Sequence, residues 1–206
     1  MRVTAETQAA TRERILVASS DLFAARGFEA TTTRDIARAA EIGAGTVFNY
    51  FPSKEAIVAS LAAAAVAEAH AEFARRDLEA ESPQEALFAF VAAELRKLKP
   101  LRKHLPAVLE TVLSPLAHNE GEDGRWLRVP HLETVSRLCH RQGFKELSPV
   151  ALQLYWSLYT GLLQFWASDS SPRQEDTLAL LDHSLEMFVG WLEGRPAEAS
   201  GQSEEK

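Results

Sequence analysis

A single cysteine, Cys139, in 206 residues excludes a disulfide within the chain and a cysteine-based zinc cluster. Long apolar runs are missing as well. None reaches the roughly 18 residues that span a bilayer, and the N-terminal MRVTAETQAATRER has no apolar leader core. A cytoplasmic protein with no membrane partner is therefore expected. Alternating β-branched stretches are absent, which argues against a sheet. Basic excess is absent too: the net charge is -7, which at first sight disfavours a nucleic-acid partner. That objection weakens once the charges are divided along the chain. Residues 1–60 carry seven basic and seven acidic side chains, so the whole negative excess lies in residues 61–206. A neutral first quarter followed by an acidic remainder fits a two-part molecule. The length suits one large domain or a small and a larger one, with enough residues to bury a core.

What is present is helix nearly throughout. Alanine is abundant, and the breakers are spaced for helices of a few turns. Thr11 to Arg26 places Ile15, Ser19, Leu22 and Phe23 on one face, with Gly27 as a stop. Thr32 can cap a helix from Thr33 to Ala40, Asp35 bonding back at its third position. A turn, Glu41-Ile42-Gly43, leads to a helix of about seven residues ending near Tyr50. Pro52 and Ser53 then open a long Ala-rich helix from Lys54 to about Arg76. Later prolines suggest helices at roughly 83–98, 101–117, 127–142, 149–168 and 173–193. Two short helices joined by a tight turn need a third behind them. Ile15, Leu22 and Phe23 can supply it against Ile36, Ala37, Ile42 and Val47. Such a unit presents its second helix outward, where it fits a DNA major groove. The small residues Gly43, Ala44 and Gly45 would let the backbone approach phosphates.

Residues 32–57, TTRDIARAAEIGAGTVFNYFPSKEAI, resemble the DNA-binding signature of tetracycline-repressor (TetR) family regulators. The match rests on Ile36-Ala37, Ala40, Gly45-Thr46, Tyr50-Phe51 and Ser53-Lys54-Glu55. The resemblance implies that Arg34 contacts a phosphate or base edge, that Ala44, Gly45, Thr46, Asn49 and Tyr50 face the groove, and that Lys54 holds a backbone phosphate. Three positions depart from the pattern. Glu41 stands where glycine is usual, Gly43 replaces a capping serine, and Phe48 replaces a tyrosine. Phe48 is expected to pack and Phe51 to be core.

The remaining chain gains a role from the same resemblance, which implies an effector pocket within it. Helical periodicity assigns its lining to Phe88, Val91, Leu95, His104, Val108, Thr111, Val112, Leu132, Ser136 and Tyr155, with His131 and Trp126 near the mouth. No lysine or arginine lies in 105–116, so a neutral or weakly polar hydrophobic ligand is expected, although Glu110 facing inward would favour a cation. The last two helices carry more apolar surface than one layer buries. Leu152, Trp156, Tyr159, Leu163, Leu181, Leu185 and Phe188 are expected to pair with a second copy as a four-helix bundle. No metal site or cofactor is expected, because the six histidines show no paired ligand spacing on one helix face. Cys139 reads as a small buried residue, and the basic run 96–103 as a solvated junction. No nucleophile, base and acid can be grouped, which speaks against an enzyme. The resulting expectation is an all-α chain with a three-helix helix-turn-helix DNA-binding domain at 1–55, a helical effector-binding and dimerisation domain at 56–195, and a polar tail at 196–206. It would act as a homodimeric repressor of a palindromic double-stranded DNA operator, released by a small hydrophobic effector. The alternative is a helical ligand-binding or scaffold protein that has lost DNA binding.

Overall fold

A computed structural model describes residues 4–76, 81–106 and 122–194, with backbone only for 122–126. The helices are α1 (Ala5–Arg26), α2 (Thr33–Ala39), α3 (Ala44–Val47), α4 (Lys54–Phe73), α5 (Pro83–Leu98), α6 (Glu122–Arg141), α7 (Pro149–Ser168) and α8 (Glu175–Leu192), with 3-10 turns at Lys99–His104 and Pro172–Gln174. No strand occurs among the described residues. They divide into two compact units. One takes the span up to Ala69 and the stretch from Leu95; the other takes His70–Glu94 and the stretch from Leu127. The expected polar tail lies outside the described residues.

In the first unit, α1 starts earlier than expected because the Thr4 side chain accepts from the Thr7 N–H and caps it. It stops at Gly27, whose φ of 84° lets its N–H return to the Phe23 carbonyl at 2.9 Å. The capping box of α2 forms as expected: the Asp35 N–H donates to Thr32 Oγ1 at 3.2 Å and the Thr32 N–H to Asp35 Oδ2 at 3.1 Å. The Thr32 hydroxyl and N–H hold the Asp35 carboxyl below its ordinary value. α2 ends in a left-handed residue, Glu41 with φ 54°, so the Ile42 N–H reaches the Ala37 carbonyl at 3.0 Å. α3 is only four residues long, not seven. Gly43 offers it no side-chain cap, Gly45 weakens its interior, and Pro52 stops continuation. Turns carry the chain onward, with the Asn49 N–H on Thr46 and the Tyr50 N–H on Val47. Ile15, Leu16, Phe23, Phe28, Ile36, Val47, Phe51, Ile57 and Val58 form the core, with Leu22 and Ile42 half-buried at its edge.

Helix α4 is long and apolar enough to cross a membrane by length and composition. Its apolar stripe, however, is buried within the protein: Ile57, Val58, Ala62, Val66, Ala69 and Phe73 recur every three or four residues. Such a stripe is the mark of a core-facing helix.

In the second unit, α6 starts at Glu122, ahead of the expected 127, and runs through Pro130. It ends at a left-handed Gly143, past which the Phe144 N–H returns to the Cys139 carbonyl at 3.1 Å. Cys139 is buried, as expected, and burial pushes its thiol up to about 11. Ser148 caps α7, with Pro149 at its first position. α7 packs on α8, and Asp169 ties their ends. Its carboxylate accepts from the Thr177 hydroxyl at 2.5 Å, the Thr177 N–H at 3.1 Å and the Ser171 N–H at 2.7 Å.

Two stability predictions follow from these local arrangements. A left-handed conformation costs a non-glycine residue about 1 kcal/mol, so Glu41→Gly should raise the urea midpoint by a corresponding amount. An unchanged or lower midpoint would remove strain at the turn as a factor. Bonds from Thr177 and Ser171 hold the Asp169 carboxyl well below the usual carboxylate range, outweighing partial burial. A depressed folded-state value means stability that is complete above the unfolded value, near pH 4, and lost as pH falls toward the folded value. Thr177→Val should therefore be destabilised at neutral pH, and the gap to wild type should narrow in acid. Parallel acid limbs in urea titrations would show that Thr177 does not set this titration.

Candidate nucleic-acid interface

The turn, α3 and the residues after it form an exposed edge of the first unit. Arg34, Ala44, Gly45 and Asn49 are exposed, while Thr46 and Tyr50 are half-buried. Thr46, Asn49 and Tyr50 line one groove with Ala5, Gln8, Ala9 and Arg12 of α1. The fold thus brings Thr46, Asn49 and Tyr50 of the resemblance-implied groove residues together, with a guanidinium beside them. Arg12 is anchored there by a bond from Nη2 to Ser60 Oγ at 3.0 Å and by its position 5.0 Å over the Phe51 ring.

Two expectations change. Phe48 is not packed; 55% of it is exposed on the outer side of the motif. The core behind it is already filled by Val47 and Phe51, which take the inward positions. Lys54 does not reach outward for a phosphate. Its ammonium donates to the Phe28 carbonyl at 2.8 Å and the Thr31 carbonyl at 2.9 Å, and stands 4.3 Å from the Phe28 ring centre. The loop between α1 and α2 exposes carbonyls that helix bonding cannot use, and the lysine satisfies them. A cation at a helix N-terminus opposes the helix dipole, and the two carbonyls offset that opposition.

The second unit treats the pocket residues differently from expectation. Val91 and Tyr155 do line a shared cavity with Leu158, Tyr159, Leu162, Leu181, Ser184 and Leu185, but its volume is about 10 Å³. That is room for one water at most. Phe88 lies instead in a surface groove with Arg76, Glu81 and Asp182. Leu95 is buried, and Leu132 and Ser136 are half-buried. His104 belongs to the first unit, 5.8 Å from the Phe23 ring and 6.1 Å from Phe28, where burial lowers its pKa. Val108, Glu110, Thr111, Val112 and the Trp126 side chain lie outside the described residues. His131, expected near a mouth, is fully buried.

Around His131 is a polar cluster that sequence spacing did not disclose. Glu94, with no exposure, accepts from His70 Nε2 at 2.5 Å and His131 Nδ1 at 2.9 Å on Oε1, and from the Tyr159 hydroxyl at 2.8 Å on Oε2. The Tyr155 hydroxyl lies 3.2 Å from His131 Nε2. Burial pushes the Glu94 carboxyl up, but the charge and hydrogen bonds of His131 and His70 bring it down to about 2. Burial, and then the Glu94 charge, push both tyrosines well above their ordinary value.

The residues expected to form a dimer contact are mostly interior. Trp156, Tyr159, Leu163, Leu181, Leu185 and Phe188 are buried within the α7–α8 unit, and Leu152 is half-buried. They occupy the inward stripe of each helix. A second, outward stripe holds Val150, Leu154 and Phe165 on α7 and Leu180, Met187 and Trp191 on α8, all exposed.

The first unit has the architecture of a helix-turn-helix DNA-binding protein. Residues 15–61 match the family model of bacterial regulatory proteins, tetR family. Over 47 residues the chain is 49% identical to the HTH-type transcriptional repressor KstR2 of Rhodococcus jostii (strain RHA1), a match spanning 23% of each protein. Whole-chain likeness comes from solved structures. The fold resembles a TetR-family repressor, FadR of Thermus thermophilus in complex with lauroyl-CoA, at a TM-score of 0.70 and 24% identity, covering 92% of this chain and 99% of that one. A TetR transcriptional regulator from Rhodococcus sp. RHA1 gives 0.69 at 18% identity, covering 88% and 97%. LfrR of Mycobacterium smegmatis, in complex with proflavine, gives 0.53 at 23%, covering 87% and 96%. Residues 15–61 thus match a tetR-family DNA-binding domain, and the described residues share the fold of solved TetR-family regulators.

Lys54→Met tests the revised role of that lysine. Losing charge-assisted bonds to two carbonyls should cost about 1–3 kcal/mol of stability, read in urea. The salt slope of DNA binding should stay unchanged. A slope reduced by about one with stability intact would return Lys54 to the phosphate contacts.

Proposed function

We propose that the protein is a homodimeric repressor that binds a palindromic operator and is released by a small hydrophobic effector. The observation that carries the reading is the exposed edge of Arg34, Ala44, Gly45 and Asn49 on a tetR-family domain. Small residues there let the motif approach the duplex, Asn49 offers an amide to base edges, and Arg34 offers a guanidinium. Dimerisation is supported by the outward stripes of α7 and α8. A second copy would cover Leu154, Phe165, Met187 and Trp191, and two linked motifs would then read two half-sites.

The effector reading is supported by two neighbours of this fold in complex with small molecules, lauroyl-CoA and proflavine. The cavity of about 10 Å³ beside Tyr155 and Val91 is too small for either kind of molecule. An effector that uses this cavity must therefore bind an opened arrangement of the second unit, and it shifts the population only by its preference for that arrangement. Operator and effector then oppose each other reciprocally.

The test begins with selection from a randomised duplex pool. The selected site should be an inverted repeat, and affinity should fall steeply with salt. Asn49→Ala should cost about 1–3 kcal/mol on the selected site and little on unrelated DNA. Phe165→Asp combined with Met187→Asp should give a folded monomer in sedimentation that no longer binds the inverted repeat. Leu185→Asp should instead unfold the protein, because that side chain faces the protomer's own core. A folded Leu185→Asp monomer, or a dimer that survives the double change, would move the interface elsewhere. No enriched sequence in the selection would favour a chain that has lost DNA binding.

A further inference from the structure

Three helices of the second unit each send one metal-competent side chain to a common point. His70 comes from the end of α4, Glu94 from α5 and His131 from α6, and one ligand atom from each lies within 4.8 Å of the others. We propose that these three residues bind a divalent transition metal ion of the zinc, cobalt and nickel group. The proposal goes beyond operator and effector binding and does not depend on either.

The donor set comes first. Two imidazole nitrogens and one carboxylate oxygen suit a borderline cation, whereas magnesium and calcium prefer oxygen alone. Their spacing is close to what a metal needs. Bonds of about 2.0–2.2 Å in a tetrahedral arrangement place donors roughly 3.3 Å apart. The observed contacts are 2.5 Å from His70 Nε2 and 2.9 Å from His131 Nδ1 to the same Glu94 oxygen. To admit the ion the two contacts to Glu94 Oε1 would lengthen by under an ångström, with the two ring nitrogens, within 4.8 Å of each other, adjusting around it. The three residues come from separate helices, so the ion would also cross-link α4, α5 and α6.

The surroundings support the ligands from behind. The Tyr159 hydroxyl donates to Glu94 Oε2, which fixes the carboxylate plane and leaves Oε1 for the metal. The Tyr155 hydroxyl lies 3.2 Å from the far nitrogen of His131 and can donate to it or accept from it. With Nδ1 on a metal, the Nε2 proton would be donated to the Tyr155 oxygen, a typical arrangement behind ligating histidines. A divalent ion would also offset the buried Glu94 carboxylate, whose ion-pair partners among the described residues are the two imidazoles. Entry is available on one side: the His70 side chain keeps 15% exposure, while Glu94 and His131 have none.

The experiment uses the full-length protein stripped with a chelator and titrated with cobalt(II). A four-coordinate site should give visible absorption that saturates at one ion per chain. One equivalent of zinc should bleach it. Zinc should also raise the Tm by several degrees, as any ligand specific for the folded state does; magnesium should not. His70→Gln changes the least buried ligand. It should keep the wild-type circular dichroism and lower cobalt affinity at least tenfold, whereas the exposed His183→Gln should change nothing. Absence of the cobalt band together with no zinc-dependent Tm shift in the wild-type protein would overturn the proposal and leave the cluster as a closed polar core. So would a band of undiminished affinity in His70→Gln, or stabilisation by magnesium alone. None of these readouts needs DNA, so failure here is distinguishable from failure of the operator reading.

Discussion

A fully buried carboxylate must be solvated by its surroundings, and Glu94 imposes that requirement on four helices at once. Its three donors come from α4, α6 and α7, and a fourth polar group, the Tyr155 hydroxyl, completes the chain through His131. Removing any one donor strands charge in a medium where stranded charge is expensive. The aromatic packing around the cluster follows from this demand. His131 lies 3.9 Å from the Tyr159 ring centre and 5.0 Å from Phe90, and Tyr155 lies 5.2 Å from Phe188. Flat rings carrying one polar edge fill an apolar interior and still present a donor. That combination is why histidine and tyrosine, not serine or lysine, surround the acid.

The same accounting, applied to acceptors, explains the first unit. Leaving α1 at Gly27 and entering α2 at Thr33 exposes carbonyls at Phe28 and Thr31. Thr31 itself donates to the Gly27 carbonyl at 2.8 Å, and Lys54 closes the other two. Residues remote in sequence therefore hold the loop that precedes the motif. A lysine that reads in sequence as a phosphate ligand acts first on its own backbone.

Local features were legible because they are written in neighbouring residues. The capping box of Thr32 and Asp35, the stop at Gly27 and the bounds of α5 and α7 follow from side-chain chemistry within a few positions, while the resemblance marked Glu41 as standing in a glycine slot. Longer-range features were not. His70, Glu94 and His131 are separated by 24 and 37 residues along the chain, and ligand spacing along one helix has no way to register three helices meeting. The burial of a full glutamate between alanines and leucines in VAAELRKL was the only available signal, since a lone acid on an apolar helix face needs partners. The inward and outward stripes of α7 and α8 were both visible as excess apolar residues. Periodicity alone does not say which stripe meets the protomer's own core.

That ambiguity has a physical origin. On α7, Tyr155, Tyr159, Leu162 and Trp166 face inward at helical spacing, while Val150, Leu154 and Phe165 lie on another side. On α8, Leu181, Leu185 and Phe188 face inward while Leu180, Met187 and Trp191 do not. A helix apolar on two sides is stable in water only if both sides are covered. The inward side holds the largest rings and has almost no free volume beside them. An interior this full leaves little room for gradual adjustment, because close-packed side chains move between discrete arrangements. Opening it for a ligand must therefore rearrange Tyr155 and Tyr159, and with them the bonds to His131 and Glu94. The polar cluster and the collapsed cavity are two parts of one closed state: whatever separates the rings also loosens the acid's partners.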